Sequence, residues 1–291
     1  MAHERIAGTR TPDTILLRPL RDTDLKAAHA LSVSVHWPHR LDDWQSAFEL
    51  GEGFVAEQDG RLVGTALCWK WGSDHATLGL VIVDPQAQGQ RIGYRLMQGL
   101  LDMLGRRTVL LHATPQARGL YERLGFVRTG EVHQHQGTAR PAPLVALKEG
   151  WRLRPSDRND EARIVSLDAE ARGMPREALI RQLLAQAQTV MLDNDGHACG
   201  FAMLRRFGKG LILGPVVASH VDGAKALIAH LVGLSAGKFV RIDVDGESGL
   251  TDWLAALGLK RVDAPTVMVR GAALPTPATL RAFALVTQAL G

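Results

Sequence analysis

One pattern recurs in this chain at a nearly constant spacing, and it constrains the fold more than any single motif. Arg154-Pro155-Ser156-Asp157-Arg158-Asn159-Asp160 echoes Arg18-Pro19-Leu20-Arg21-Asp22-Thr23-Asp24, 136 positions earlier. Asp195-Gly196 with Gly200 echoes Asp59-Gly60 with Gly64 at the same offset, and Leu257-Gly258-Leu259 echoes Leu124-Gly125-Phe126 at 133. A chain of 291 residues accommodates two units of roughly 140, each large enough to bury a core. The sequence therefore reads as two copies of one fold, joined near Glu149-Gly150.

Apolar residues make up 46% and charged residues 22%, the balance of a soluble globular protein. The net charge of +4, with few aromatics and no dense Lys/Arg run, gives no footprint for nucleic acid. Cys68 and Cys199 both fall in apolar strand-like runs and read as buried free thiols, so a reducing cytoplasm is the expected location. No apolar run approaches the ~20 residues that span a bilayer, so no membrane is expected. Residues 1–13 read as a disordered lead-in, 14–148 as the first domain, 151–271 as the second and 275–290 as a closing helix.

Within the first half, the pattern predicts a strand at Thr14–Leu17 and a helix capped by Asp22 running to about Val35. His36-Trp37-Pro38-His39-Arg40 breaks it, and a second helix covers Asp42–Leu50. Strands Phe54–Glu57 and Leu62–Trp71 flank Asp59-Gly60, a hairpin signal. Leu78–Val83 is an apolar run broken only by Gly79, a strand buried on both faces, and Pro85 ends it. A polar loop, Gln88-Gly89-Gln90-Arg91-Ile92-Gly93, leads into a helix with Ile92, Leu96, Leu100 and Met103 on one face. Such a loop gathers backbone N–H groups at the positive end of a helix dipole, a place that suits phosphate oxygens. Val109–His112, a helix from Pro115 to Leu124, a strand from Phe126 and a last strand at Leu144–Leu147 complete the half.

Two motifs in this half carry a family resemblance. Gln88 and Gly93 fit the Gln/Arg-x-x-Gly-x-Gly/Ala loop of the GCN5-related N-acetyltransferases, with Arg91 where that family most often has its middle glycine. Pro115-x-Ala117-x-x-x-Tyr121-x-x-x-Gly125-Phe126 is the second motif, and the order of elements over 14–148 is similar too. The stretch Gly200–Ala218 resembles the second domain of tandem bacterial acetyltransferases. The resemblance implies an α/β (α+β) fold: two tandem units, each a mixed, mostly antiparallel sheet flanked by helices, the second degenerate. It also implies acetyl-CoA as cosubstrate and an amine acceptor, with direct attack in a ternary complex and no metal. Gln88, Gly89, Gln90, Arg91, Ile92, Gly93 and Tyr94 would then hold the pyrophosphate. Val81, Ile82 and Val83 would offer backbone groups to the thioester where the strand splays at a bulge, which Gly79 would permit. Ala117 lies on the helix along the pantetheine arm, and Tyr121 becomes the candidate acid facing the sulfur.

The second copy lacks these features. Pro215–Gly223 has no glycine pair or loop cation, Asp222 would repel a phosphate, and Leu254 beside Trp253 matches Tyr121. Asp243 and Asp245 read as exposed carboxylates at a strand end, without a third metal ligand. Trp37, His39, Asp43 and Trp44 form a candidate acceptor cluster, able to hold an ammonium by cation–π and ion-pair contacts. No base stands out; His36, His39, Asp42, Asp43, His75 and His112 are options. Amino acid, polyamine, antibiotic, peptide N-terminus and protein lysine stay open as acceptors. So do a non-catalytic CoA-binding regulator, a macromolecule-binding module, and transfer of a longer acyl group. Monomer and homodimer are both compatible.

Overall fold

The computed structural model describes residues 15–143, 145–274 and 279–291. The expected lead-in at 1–13, Thr14 and Leu144 lie outside them. The first half comprises β1 (Leu16–Pro19), α1 (Leu25–Ser34), α2 (Leu41–Leu50), β2 (Glu52–Gln58), β3 (Arg61–Trp71) and β4 (His75–Val83), followed by α3 (Ile92–Leu104), β5 (Thr108–Ala113), α4 (Arg118–Arg123) and β6 (Val127–Thr138). The second half follows the same plan: β7 (Trp151–Pro155), α5 (Glu161–Arg172), α6 (Glu177–Leu184), β8 (Gln188–Asn194), β9 (His197–Phe207) and β10 (Gly210–Ala218), then α7 (Val221–Gly233), β11 (Phe239–Asp245), α8 (Thr251–Ala256), β12 (Lys260–Asp263), β13 (Thr266–Arg270) and β14 (Arg281–Ala284).

The repeat seen in the sequence is a repeat of contacts. Arg18 grips Asp24 at 2.7 Å and Glu57 at 2.9 Å; Arg154 grips Asp160 at 2.6 Å and Asp193 at 2.7 Å. All three partners are displaced by the same 136 positions. Asp59-Gly60 and Asp195-Gly196 both turn through left-handed pairs, with φ of 51° and 75°, then 48° and 81°. That is the backbone a two-residue hairpin needs.

The strands form one mixed, mostly antiparallel sheet in the order β1-β2-β3-β4-β5-β13-β6-β11-β14-β10-β9-β8-β7. The halves exchange strands within it. β13 lies between β5 and β6, while the far part of β6 pairs with β11 and β12. One apolar cluster also joins them, with Trp44 and Trp69 packed among Leu167, Leu179 and Phe201. The two units read from the sequence are thus interlocked, each completed by a strand of the other.

Two expected elements differ. Residues 145–147 form no strand and Leu147 is exposed; Pro141 and Pro143 just before them remove donors a ladder requires. The closing helix expected at 275–290 is not formed: residues 275–278 lie outside the described residues, and 281–284 form β14. Phe283 and Ala284 are buried there, in a gap between β10 and β11 whose backbone groups need partners. Sheet pairing overrides the local helical pattern.

That gap is the key feature of the architecture. β4 and β5 run parallel and in register from His75/Thr108 to Leu78/Leu111, then part. β10 and β11 pair only at Leu211/Val240 and Ile212/Arg241 before they part. In the second half β14 fills the opening, pairing Val216 and Val244 with Ala284. In the first half no strand among the described residues enters it.

Candidate active site

A bulge opens the first gap. β3 and β4 slip register between Thr65/Ile82 and Leu67/Gly79, and Leu80 adopts φ of 51°. The left-handed residue is therefore Leu80, not Gly79. Thr65 holds it by donating its hydroxyl to Leu80 O at 2.7 Å. Gly79 is small for another reason: a Cβ there would lie 2.6 Å from that of Ala289.

A groove of about 1020 Å³ runs from the gap to the start of α3. Val81, Ile82 and Val83 form one side, Ala117 and Tyr121 of the α4 segment the other, and Gln88, Gly89 and Arg91 through Tyr94 its end. Gln90 is exposed outside it. Arg123, which the motif reading passed over, adds a second guanidinium. Among the described residues, no backbone carbonyl accepts from the N–H groups of Gly89 through Tyr94. They and the α3 dipole make an anion cradle at the end of a 13-residue helix. Gly89 has φ of 83°, and Arg91 caps α3 with φ of 59°. The arginine has thus taken the left-handed conformation that glycine adopts without strain. Its guanidinium lies 5.1 Å from the Tyr94 ring centroid. Arg91→Gly is expected to raise stability by up to about 1 kcal/mol, the cost of a side chain in that conformation. If Arg91 serves as a phosphate ligand, the same change weakens acetyl-CoA binding. Thermal unfolding and titration calorimetry read the two effects separately; unchanged affinity removes Arg91 from the ligand set.

Tyr121 is 5% exposed and stands edge-on to Phe126 at 5.9 Å. Gly125, at φ of 84°, turns the chain so that Phe126 N–H donates to Tyr121 O at 3.0 Å. Burial pushes the phenol well above its ordinary value, so it is a neutral donor at any working pH.

Tyr121 also lines a second cavity, about 280 Å³, that meets the groove along Trp37, Val81, Thr114 and Ala117. His36, His39, His112 and Gln134 face it from the first half. Phe207, Arg241 and Asp263 come from the second, and Thr287, Gln288 and Ala289 form another wall. The second half is therefore part of the site. Sequence reading missed this because strand exchange and the return of residues 285–291 are long-range events.

Of the expected acceptor cluster, Trp37 and His39 reach this cavity. Trp44 does not: it is fully buried and donates from Nε1 to Ser32 Oγ at 3.1 Å. Asp43 does not either. It pairs with Arg40 at 2.6 Å, caps its own helix through Arg40 N–H at 2.8 Å, and accepts Gly208 N–H at 2.9 Å. Burial works to raise this carboxyl, but those bonds outweigh it and hold it below the usual range. The spacing within α2 turns Trp44 inward, and a carboxylate at the third position is drawn to the helix N-terminus. Asp42 is exposed beside Arg40, and His75 sits at the far end of β4. Asp243, expected at the surface, is buried against Arg241 at 2.7 Å. Cys68 is buried with its thiol pushed up to about 12, and Cys199 is half-buried; neither lines either cavity.

Burial, aided by the Arg241 charge, lowers His39 to about 4. His112, whose Nδ1 hydrogen-bonds Gln288 O at 2.6 Å, is likewise lowered by burial to about 4. Both imidazoles are neutral at pH 7. Above about pH 6.5 neither folded nor unfolded state is protonated there, and these groups cost nothing. As pH falls below that, the unfolded chain takes up protons that the folded one refuses. Stability then declines by up to about 2.7 kcal/mol per pH unit for the pair, levelling near pH 4. Urea midpoints between pH 7 and pH 5 measure this, and His112→Gln should remove up to about 1.4 kcal/mol per pH unit of the slope, leaving the share of His39 and of buried His135, which burial also lowers.

The second copy lacks the long loop that ends the groove in the first. Ser219-His220 alone separates β10 from α7, where eight residues separate β4 from α3. Leu254 is fully buried in place of Tyr121, and Asp222 pairs with Lys148 at 2.9 Å.

Comparison with known proteins agrees with this arrangement. Family models described as "Acetyltransferase (GNAT) domain" match residues 29–139 and 164–283. The chain is 29% identical over 220 residues to the "Uncharacterized N-acetyltransferase YitH" of Bacillus subtilis, covering 74% of this chain and 76% of that one. It is 24% identical over 249 residues to the holothin acyltransferase of a Pseudoalteromonas species, covering 82% of each. A putative acetyltransferase from Pyrococcus horikoshii superposes with a TM-score of 0.76 at 20% identity, covering 99% of this chain and 100% of that one. A tandem GNAT protein from the clavulanic acid biosynthesis pathway gives 0.65 at 15% identity, with 89% and 100% covered. With an open gap and cradle in one half and a strand-filled gap in the other, this chain belongs to the GCN5-related N-acetyltransferases and carries two of their domains in tandem.

Proposed function

We propose that this protein moves an acyl group, acetyl by family default, from CoA to a primary amine, with the CoA site in the first half and both halves lining the acceptor cavity. The observation that carries the reading is the placement of Tyr121, at the junction between an anion-cradling groove and a separate cavity for an acceptor. The groove residues suit CoA: unpaired N–H groups and two arginines for phosphates, and an apolar channel past Ile82, Ala117 and Leu120 for the arm. When bound, the thioester supplies the activated acyl carbon.

The chain's own groups do the rest. Backbone N–H groups of β4 beyond Leu78, freed from β5, would donate to the carbonyl oxygen as charge grows there. Trp37 and the Ala117–Tyr121 turn orient acceptor against donor. A C–N bond forms as the C–S bond breaks, one proton leaves the nitrogen, and the sulfur gains one. Tyr121, held neutral and lining both cavities, would donate that proton. Neither cysteine lines the site, which supports direct transfer. His39 and His112 are weak bases, which favours an amine that enters already neutral, or passes its proton to water.

Thiol release from acetyl-CoA across an amine library at several pH values tests the reading. Amine-dependent CoA release is expected. Tight acetyl-CoA binding with no release for any amine would instead support a CoA-binding regulator. Competition among acyl-CoAs decides chain length.

A further inference from the structure

The acceptor cavity has an asymmetric charge. Arg241 on β11 donates to Asp243 from Nε at 3.0 Å and from Nη2 at 2.7 Å. This two-point grip fixes the guanidinium, and its carbons lie against Phe207, 5.8 Å from the ring centroid. Among the described residues Nη1 has no hydrogen-bond acceptor. Arg241 lines both the 280 Å³ cavity and a neighbouring one of about 150 Å³ that shares His36, Gln134 and Phe207 with it. The smaller cavity contains the exposed Lys209 and no Asp or Glu among its lining residues. In the larger one the acidic lining residue is Asp263, exposed, with its carboxylate already accepting Ala264 N–H at 2.8 Å. Gln288, Gln134 and Gln136 form a relay of amides, at 3.0 and 3.1 Å, that continues the polar wall.

A polyamine or a lysine side chain brings positive charge and needs carboxylates to receive it. The acceptor cavity offers the Arg241 guanidinium instead, and the smaller cavity beside it the Lys209 ammonium. Positive charge beside the bound nitrogen also disfavours its protonated form, so it helps keep the nucleophile neutral where no strong base faces it. Resting on the acyl-transfer reading above, we infer that the acceptor is a small primary amine carrying a carboxylate, received by Arg241 Nη1 with Lys209 at the entrance.

The test compares matched amines at saturating acetyl-CoA: amino acids, their amides, the corresponding decarboxylated amines, aminoalkyl phosphates and diamines. At least a 30-fold higher kcat/KM is expected for the carboxylate member of a matched set. Lys209→Ala, at an exposed position, should raise its KM three- to tenfold with kcat little changed. The pair Arg241→Gln with Asp243→Asn, which leaves no buried lone charge, should abolish the preference while acetyl-CoA affinity by calorimetry stays the same. Equal or better turnover of amides, decarboxylated amines or diamines overturns this inference and leaves the acyltransferase reading intact. Preference for the phosphates also overturns it, in favour of a different anion. Failure to bind acetyl-CoA, or to release thiol with any amine, overturns both.

Discussion

Tyr121→Phe should lower kcat for thiol release at least tenfold while the protein stays folded and acetyl-CoA affinity changes little. The hydroxyl is a small part of a ring that packs on Phe126 and within the apolar cluster beneath α3, so phenylalanine keeps nearly all of the packing. The function lost under the proposed mechanism is proton donation to a developing thiolate. A tenfold loss corresponds to about 1.4 kcal/mol of barrier, and general acids contribute more than that in many sites. Because burial holds the phenol neutral, the wild-type rate should show no alkaline fall from Tyr121 ionisation up to pH 10. An unchanged kcat in the variant removes Tyr121 from the chemistry and leaves sulfur protonation to solvent.

The second large effect concerns stability. Asp168 and Arg176 are bound to each other at 2.7 and 3.0 Å, with side chains 0% and 1% exposed. Arg176 also donates from Nη1 to Leu290 O and Gly291 O. Asp168→Ala leaves a buried guanidinium without its carboxylate and should destabilise the fold by about 3–5 kcal/mol. Urea unfolding measures this. The paired change Asp168→Leu with Arg176→Met should recover most of the loss, since an apolar pair needs no compensating charge. The double variant should still differ from wild type in acceptor KM, because Arg176 tethers the segment whose Thr287, Gln288 and Ala289 wall the cavity. A double variant with wild-type acceptor KM would show that the segment holds its place through Ala289 on Gly79 and Gln288 on His112 and Gln134 alone.

The candidate groove was largely legible in the sequence. Local chemistry dictates it: an apolar run ended by proline, a glycine turn and an amphipathic helix fix the course of residues 78–104, and Gly125 fixes the turn after Tyr121. The acceptor cluster was less legible. Trp37, His39, Asp43 and Trp44 are close in sequence, but helical geometry turns Trp44 into the core and a capping position claims Asp43. Closeness along the chain says little about which side of a helix faces a cavity.

By itself the sequence determined the doubling, because ion-pair partners, hairpin turns and helix stops are local and recur at one spacing. It determined the open cradle in the first half too, and its absence from the second. Only the tertiary structure decided that the halves exchange strands, that residues 281–284 pair as β14 rather than coil into a helix, and that Arg241, Phe207 and residues 287–289 complete the first half's cavity. These depend on which unpaired backbone and which apolar faces meet across more than a hundred residues. No local pattern encodes that meeting. The need to pair every buried strand edge enforces it once the two copies lie side by side.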